Sequence, residues 1–229
     1  MTAPDAGNAV GVYGGTFNPI HLGHLRAAEE VAECLGLERV IFVPSARPPH
    51  KSDGEEIAPA QQRFEWVKLA VASNPRFEVD PIEVEREGPS YSVTTLVELR
   101  RRLAPAVPVF IIGHDAFCEI GTWREPKALF ALAHFAVMTR PPERDGRLAA
   151  WLPECMRDEI EFDEDGLSGR HRVSDHWIRA VKIRGLDVSA SGIRQRIREG
   201  RSTRYWLPEP VRREVEKSGC YRDRAEARS

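Results

Sequence analysis

The apolar run Val10-Gly11-Val12-Tyr13 passes directly into Gly14-Gly15-Thr16-Phe17-Asn18-Pro19-Ile20-His21-Leu22-Gly23-His24, and few architectures accommodate that order. Apolar residues, then two glycines, then an amphipathic stretch read as a buried strand, a tight turn and a helix start. Glycine admits positive φ and lets main-chain N–H groups approach a ligand closely. The helix N-terminus that follows carries partial positive charge and unpaired N–H groups, which suit a chain of phosphates. His21 and His24 lie three positions apart with Gly23 between them, so both imidazoles are expected to face that anion pocket. A GxxxxGK[ST] loop, a GxGxxG fingerprint and HExxH are all absent from the sequence. No metal site is expected at the two histidines, because a pocket built for anions disfavours a cation.

Beyond this motif, strand and helix patterns alternate. Leu22, Leu25, Ala28, Ala32 and Leu35 recur at helical spacing and stop at Gly36. Val40 to Val43 is a short apolar run closed by Pro44, as in a buried parallel strand. Residues 45–59 form a Pro-rich polar loop and a candidate lid, followed by a helix whose apolar face is expected at Phe64, Val67 and Val71. Phe77 to Asp80 alternates like a strand, which Ile82 to Glu85 either extends or follows. Ser92 to Leu103 reads as a helix, Val107 to Ile112 as a strand ending at Gly113, and His134 to Met138 as another strand. This alternation predicts an α/β fold, a Rossmann-like doubly wound parallel sheet with ligands beyond the carboxyl ends of its strands, and a small C-terminal helical portion. A single domain is expected over residues 9–221, divided into an α/β core at 9–186 and the helical portion at 187–221. Residues 143–176 are charged and poorly periodic, and read as a variable excursion; 1–8 and 222–229 read as tails.

Basic and acidic residues nearly balance, 33 against 35, so no overall field points to nucleic acid or membrane. Cys34, Cys118, Cys155 and Cys220 are scattered without a C-x-x-C pair, which fits free thiols in a reducing compartment. There is no leader-like segment and no apolar run of about 20 residues, so a cytoplasmic protein is expected. Nothing in the chain indicates its oligomeric state.

A second informative segment runs from Asp187 to Arg194, Asp-Val-Ser-Ala-Ser-Gly-Ile-Arg. Ser189 or Ser191 can cap the helix that carries Ile193 and Ile197, and Arg194 emerges from its first turn, where phosphate oxygens are readily held. Arg196, Arg198, Arg201 and Arg204 read as a solvated charged face.

Together the two anchors resemble the signatures of the HxGH nucleotidylyltransferase superfamily, GGTFNPIHLGH at one end and an ISxTxIR-like motif at the other. Between and after them lie Pro48-Pro49-His50-Lys51, Pro89 to Leu96 (PSYSVTTL), Phe110 to Asp115 (FIIGHD), Thr122-Trp123 and Tyr205 to Pro208 (YWLP). In that order they are similar to the bacterial nicotinate mononucleotide adenylyltransferases, and the likeness runs from about Val10 to Tyr221. Ser92, Ser191, Gly192 and the 143–176 stretch depart from the family pattern without removing a reactive group. A phosphopantetheine adenylyltransferase, a regulatory module without turnover and a nucleic-acid-binding protein using the arginine-rich helix are the rival readings. The first family lacks the PPHK and Trp123 features that this chain carries, and against the last, this chain has near-neutral charge and no interleaved aromatic platform.

The resemblance implies AMP transfer from ATP to nicotinate mononucleotide, giving nicotinate adenine dinucleotide and pyrophosphate in NAD synthesis. The acceptor phosphate is already an anion, so direct in-line attack needs no general base and no covalent enzyme intermediate. It implies catalytic roles for His21, His24 and Arg194. ATP contacts are expected at Gly14, Gly15, Thr16, Phe17, Gly113, Asp115, Ser191 and Ile193, besides those three. Acceptor contacts are expected at Thr16, Lys51, Thr95 and Trp123, the last stacking on the nicotinate ring. Arg124, beside Trp123, is a candidate for the nicotinate carboxylate. Mg²⁺ is expected to travel with ATP without a dedicated protein cage.

Overall fold

Val10–Gly15 forms the first strand, β1, and its neighbours on both sides are parallel to it. In the computed structural model, which describes residues 9–48, 56–139 and 147–222, the other strands are β2 (Arg39–Pro44), β3 (Phe77–Val79), β4 (Pro108–Gly113), β5 (His134–Thr139), β6 (Ile160–Phe162), β7 (Ser168–His171) and β8 (Trp177–Lys182). They make one sheet in the order β3-β2-β1-β4-β5-β8-β7-β6. The strands from β3 to β8 along that order run parallel, while β7 and β6 add an antiparallel edge. Chain direction across the sheet reverses between β1 and β4, which opens a crevice beyond their carboxyl ends. β2 and β4 are buried along almost their whole length, as unbroken apolar runs between two helical layers must be.

The helices are α1 (Leu22–Leu35), α2 (Ala60–Val71), α3 (Ile82–Glu85), α4 (Ser92–Leu103), α5 (His114–Cys118), α6 (Pro126–Leu132), α7 (Leu148–Trp151), α8 (Glu154–Arg157), α9 (Ala190–Arg198) and α10 (Glu209–Ser218). One core gathers α1, α2, α9 and α10 through Ala28, Val31, Trp66, Val67, Ile193 and Val211. The other gathers α4 and α6 through Leu96, Leu99, Leu129 and Phe130. Each fully buried Leu or Phe there contributes roughly 1.5–3 kcal/mol by leaving water. α1 lies close on the sheet because Ala28 and Ala32 are small and wholly buried, and it ends at Gly36 with φ 65°.

One expectation from the sequence needs revision, one open reading is resolved, and two features of the sheet were not foreseen. The α2 core face is Arg63, Trp66, Val67, Ala70 and Val71, with Phe64 only half-buried, so a charged residue leads the stripe. Ile82–Glu85 does not extend the strand; Asp80 Oδ1 accepts the Ile82 N–H at 2.9 Å and starts a helical turn. Trp177–Lys182 is an internal strand that the apolar pattern does not announce. The 143–176 stretch, over its described part, contributes α7, α8 and the β6–β7 edge to the same sheet.

Candidate active site

β1 delivers Gly14 and Gly15 in extended conformation, so positive φ in the following turn falls on Phe17 (φ 45°) and not on the glycines. What Gly15 provides is space: a Cβ there would stand 3.1 Å from the Phe17 ring. Phe17 is buried and its ring meets the His24 imidazole edge-on at 5.1 Å. The turn thereby supplies the wall against which His24 rests.

His21 is the N-cap of α1, and its main-chain N–H donates to His24 Nδ1 at 3.2 Å. The two rings stack with centroids 3.7 Å apart and planes 24° from parallel. An imidazole nitrogen that accepts a main-chain N–H carries no proton, so neutral His24 holds its proton on Nε2. Gly23 permits the stack, since a Cβ would lie 3.0 Å from His21 Nδ1 and 3.1 Å from Cε1. The Leu22 N–H is already bonded to the Trp206 carbonyl at 3.0 Å. The cavity-facing groups at this helix start are therefore the two rings and Gly23.

These residues line a cavity of about 1270 Å³ whose other walls include Gly113, His114 and Asp115 from the carboxyl end of β4, and Ser189 and Ala190 at the start of α9. Ser189 caps α9, its Oγ accepting the Gly192 N–H at 3.1 Å. Lys182 and Arg184 add positive charge to the lining, Asp115 and Asp187 negative. Two walls were not foreseen: Trp151 and Leu167, both from the excursion, close one side, and Trp151 meets the His114 ring edge-on at 4.7 Å.

The Cytidylyltransferase-like family model matches residues 12–196. A probable nicotinate-nucleotide adenylyltransferase of Geotalea daltonii is 42% identical over 93% of this chain and 98% of its own. One of Moorella thermoacetica is 41% identical over 94% and 92% respectively. The chain belongs to the nicotinate-nucleotide adenylyltransferase family. The fold is also that of the Plasmodium falciparum nicotinic acid mononucleotide adenylyltransferase, solved in complex with NaAD, at a TM-score of 0.68 and 15% identity over 93% of this chain and 97% of that one.

Other expected site residues lie outside the cavity lining. Ser191 is exposed, 3.2 Å from Ser189 Oγ, whereas Ile193 is wholly buried in the core and its N–H donates to the Ser189 carbonyl at 3.0 Å. Arg194 is half-buried, with Nη1 donating to the Asn18 carbonyl at 2.9 Å and Nε buried without a partner among the described residues. Thr95 is buried; its hydroxyl donates to Glu83 Oε1 at 2.6 Å and accepts from Arg86 Nη2 at 3.1 Å. Burial raises the Glu83 carboxyl above the usual range, against the opposing pull of Thr95, Ser90, Arg86 and Ser45. Trp123 is half-buried and edge-on to Phe110 at 6.3 Å, while Arg124 is exposed and covers the Tyr91 ring at 4.9 Å. Lys51 lies outside the described residues.

Arg63 was missed entirely. It is 1% exposed, and its guanidinium donates to the carbonyls of Ala58 (2.8 Å), Thr16 (2.6 Å) and Ala46 (3.2 Å). One buried cation thus ties the turn after β1 to the segment after β2 and to the start of α2. Burial lowers its pKa from the ordinary value, with Tyr221 and Glu83 opposing. The available signal was a charged residue in helical phase with Trp66, Val67 and Ala70.

Proposed function

We propose that the protein transfers AMP from ATP to nicotinate mononucleotide, forming nicotinate adenine dinucleotide and pyrophosphate. The observation that carries this reading is the stacked His21–His24 pair lining one wall of a 1270 Å³ cavity that Gly113 and Asp115 line at the end of β4. It agrees with the names of the relatives.

In this reading the acceptor phosphate attacks the α-phosphorus of ATP in line, and pyrophosphate leaves with the electron pair. No side chain forms a bond to phosphorus. His24 donates its Nε2 proton as a hydrogen bond to the charge developing on the α-phosphate, and His21 meets the phosphate chain. Such donors act by electrostatic stabilisation and alignment, which together supply most of the rate enhancement when one anion must attack another. Ser191 and Arg194 hold the β- and γ-phosphates, and Gly14, Gly15, Thr16 and Phe17 border the chain. Gly113 and the Asp115 carboxylate receive the adenosine ribose. Magnesium enters as part of the ATP substrate. Among the described residues no group of three or more His, Cys, Asp and Glu side chains is placed to hold a metal ion.

Thr16, Lys51, Thr95, Trp123 and Arg124 take the acceptor. Two guanidiniums favour a carboxylate over a carboxamide there: Arg86 against the Thr95 hydroxyl and Arg124 over Tyr91. A competition assay with equal nicotinate and nicotinamide mononucleotide, read by chromatography of the two dinucleotides, tests the reading. An excess of the acid product is expected. Equal products would keep the transfer and refute the selectivity; exclusive amide product would reverse it.

A further inference from the structure

The chain turns back sharply after α10. Gly219 caps that helix with φ 69°, and Tyr221, two residues on, has φ 68°. A bulky residue in the left-handed region is strained and persists only when its surroundings hold it there. Here the turn drives the Tyr221 ring into the core, 1% exposed and 6.2 Å from Trp66 between centroids.

The hydroxyl then donates to Asn18 Oδ1 at 2.5 Å, across 203 positions of chain. Asn18 is itself 5% exposed and engaged at every end of its side chain. Its Nδ2 donates to the Glu56 carbonyl at 2.9 Å, and Oδ1 also accepts the Ala58 N–H at 3.0 Å. Its main-chain carbonyl is the acceptor on which Arg194 Nη1 is fixed at 2.9 Å. Burial keeps the Tyr221 hydroxyl protonated, and therefore a donor, although Arg194 and Arg63 pull the other way.

We propose that Tyr221 is a positioning residue for nucleotidyl transfer: by locking Asn18 it aims Arg194 at the phosphate chain, so the turn after the last helix belongs to the catalytic scaffold. This rests on the reading that Arg194 grips ATP. A buried tyrosine that only filled space would need its ring and not its hydroxyl.

Tyr221→Phe separates the two roles, made alone and in an Arg194→Lys background, with thermal melts to verify folding. In the otherwise unchanged enzyme, kcat/KM for ATP is expected to fall about tenfold, in the range by which contacting residues couple. The KM for nicotinate mononucleotide is expected to stay within about twofold. In the Arg194→Lys background the same substitution should change little. Equal losses in both backgrounds, or no loss per folded molecule, would overturn the proposal. Binding of a non-hydrolysable ATP analogue gives a second readout with the same two expectations. It serves even if the parent enzyme shows no turnover with nicotinate mononucleotide, an outcome that sinks the functional reading and not this one.

Discussion

The main-chain N–H of His21 donates to Nδ1 of His24 at 3.2 Å, so the first residue of the HxGH motif sets the tautomer of the last. The helix start is thereby wired to present an Nε2–H donor. A Gln amide nitrogen can stand near the place of imidazole Nε2, whereas Asn reaches only the Nδ1 position. His24→Ala is expected to lower kcat by about 10²–10³, the usual loss for one transition-state donor. His24→Gln should retain more activity than His24→Asn, and the reverse ranking would refute the tautomer assignment.

Gly23→Ala separates stability from activity. Gly23 is the second residue of α1, where alanine gains less than the roughly 0.5–1 kcal/mol it gains over glycine in a helix interior, so the melting temperature should change little. The new methyl would nevertheless stand 3.0 Å from His21 Nδ1, on a ring already stacked against His24. Displacing a catalytic group by about 1 Å can cost 10²-fold, and kcat is expected to fall by at least about tenfold with the fold intact. Unchanged kcat would mean that the His21 ring is free to move.

Arg63→Met leaves three carbonyls, those of Thr16, Ala46 and Ala58, without their donor. Each unsatisfied buried group costs about 1–3 kcal/mol, so urea unfolding should show a loss of roughly 3 kcal/mol or more. Arg63→Lys should recover only part of it, because an ammonium cannot span the fork that a guanidinium offers. A loss below about 1 kcal/mol would show that water replaces the guanidinium.

Acid sensitivity is expected at the end of the sheet opposite the cavity. Burial, reinforced by His176, Arg100, Arg170 and Arg179, pushes the His134 imidazole down to about 3. Its Nδ1 accepts the Trp177 N–H at 3.0 Å, and its ring stacks on that indole at 4.6 Å. The unfolded chain therefore binds a proton near pH 6.5 that the folded chain refuses, and stability falls as pH drops from there toward 3. His134→Asn, whose Oδ1 can take over the acceptor role, should move the acid unfolding midpoint to lower pH. An unmoved midpoint would assign the acid limb to other groups.

The local patterns that read correctly were those whose cause is local. Val10–Tyr13, the Gly36 stop and the α4 span Ser92–Leu103 each follow from adjacent residues. β8 escaped because Arg179 and Lys182 interrupt its apolar run. The excursion hid its strands because β6 and β7 cover only three and four residues at an antiparallel edge. Trp151 and Leu167 reach the cavity only once that edge is built. Arg63 and the Asn18–Tyr221 bond depend on contacts across 47 and 203 positions, which no periodicity encodes.

The most direct test is a turnover assay of the purified protein with ATP, Mg²⁺ and nicotinate mononucleotide, measuring pyrophosphate and dinucleotide together. Equimolar formation of both, slowed by about 10²–10³ in His24→Ala, is expected. Pyrophosphate released without dinucleotide, or no turnover despite binding of ATP, would contradict the proposed transfer.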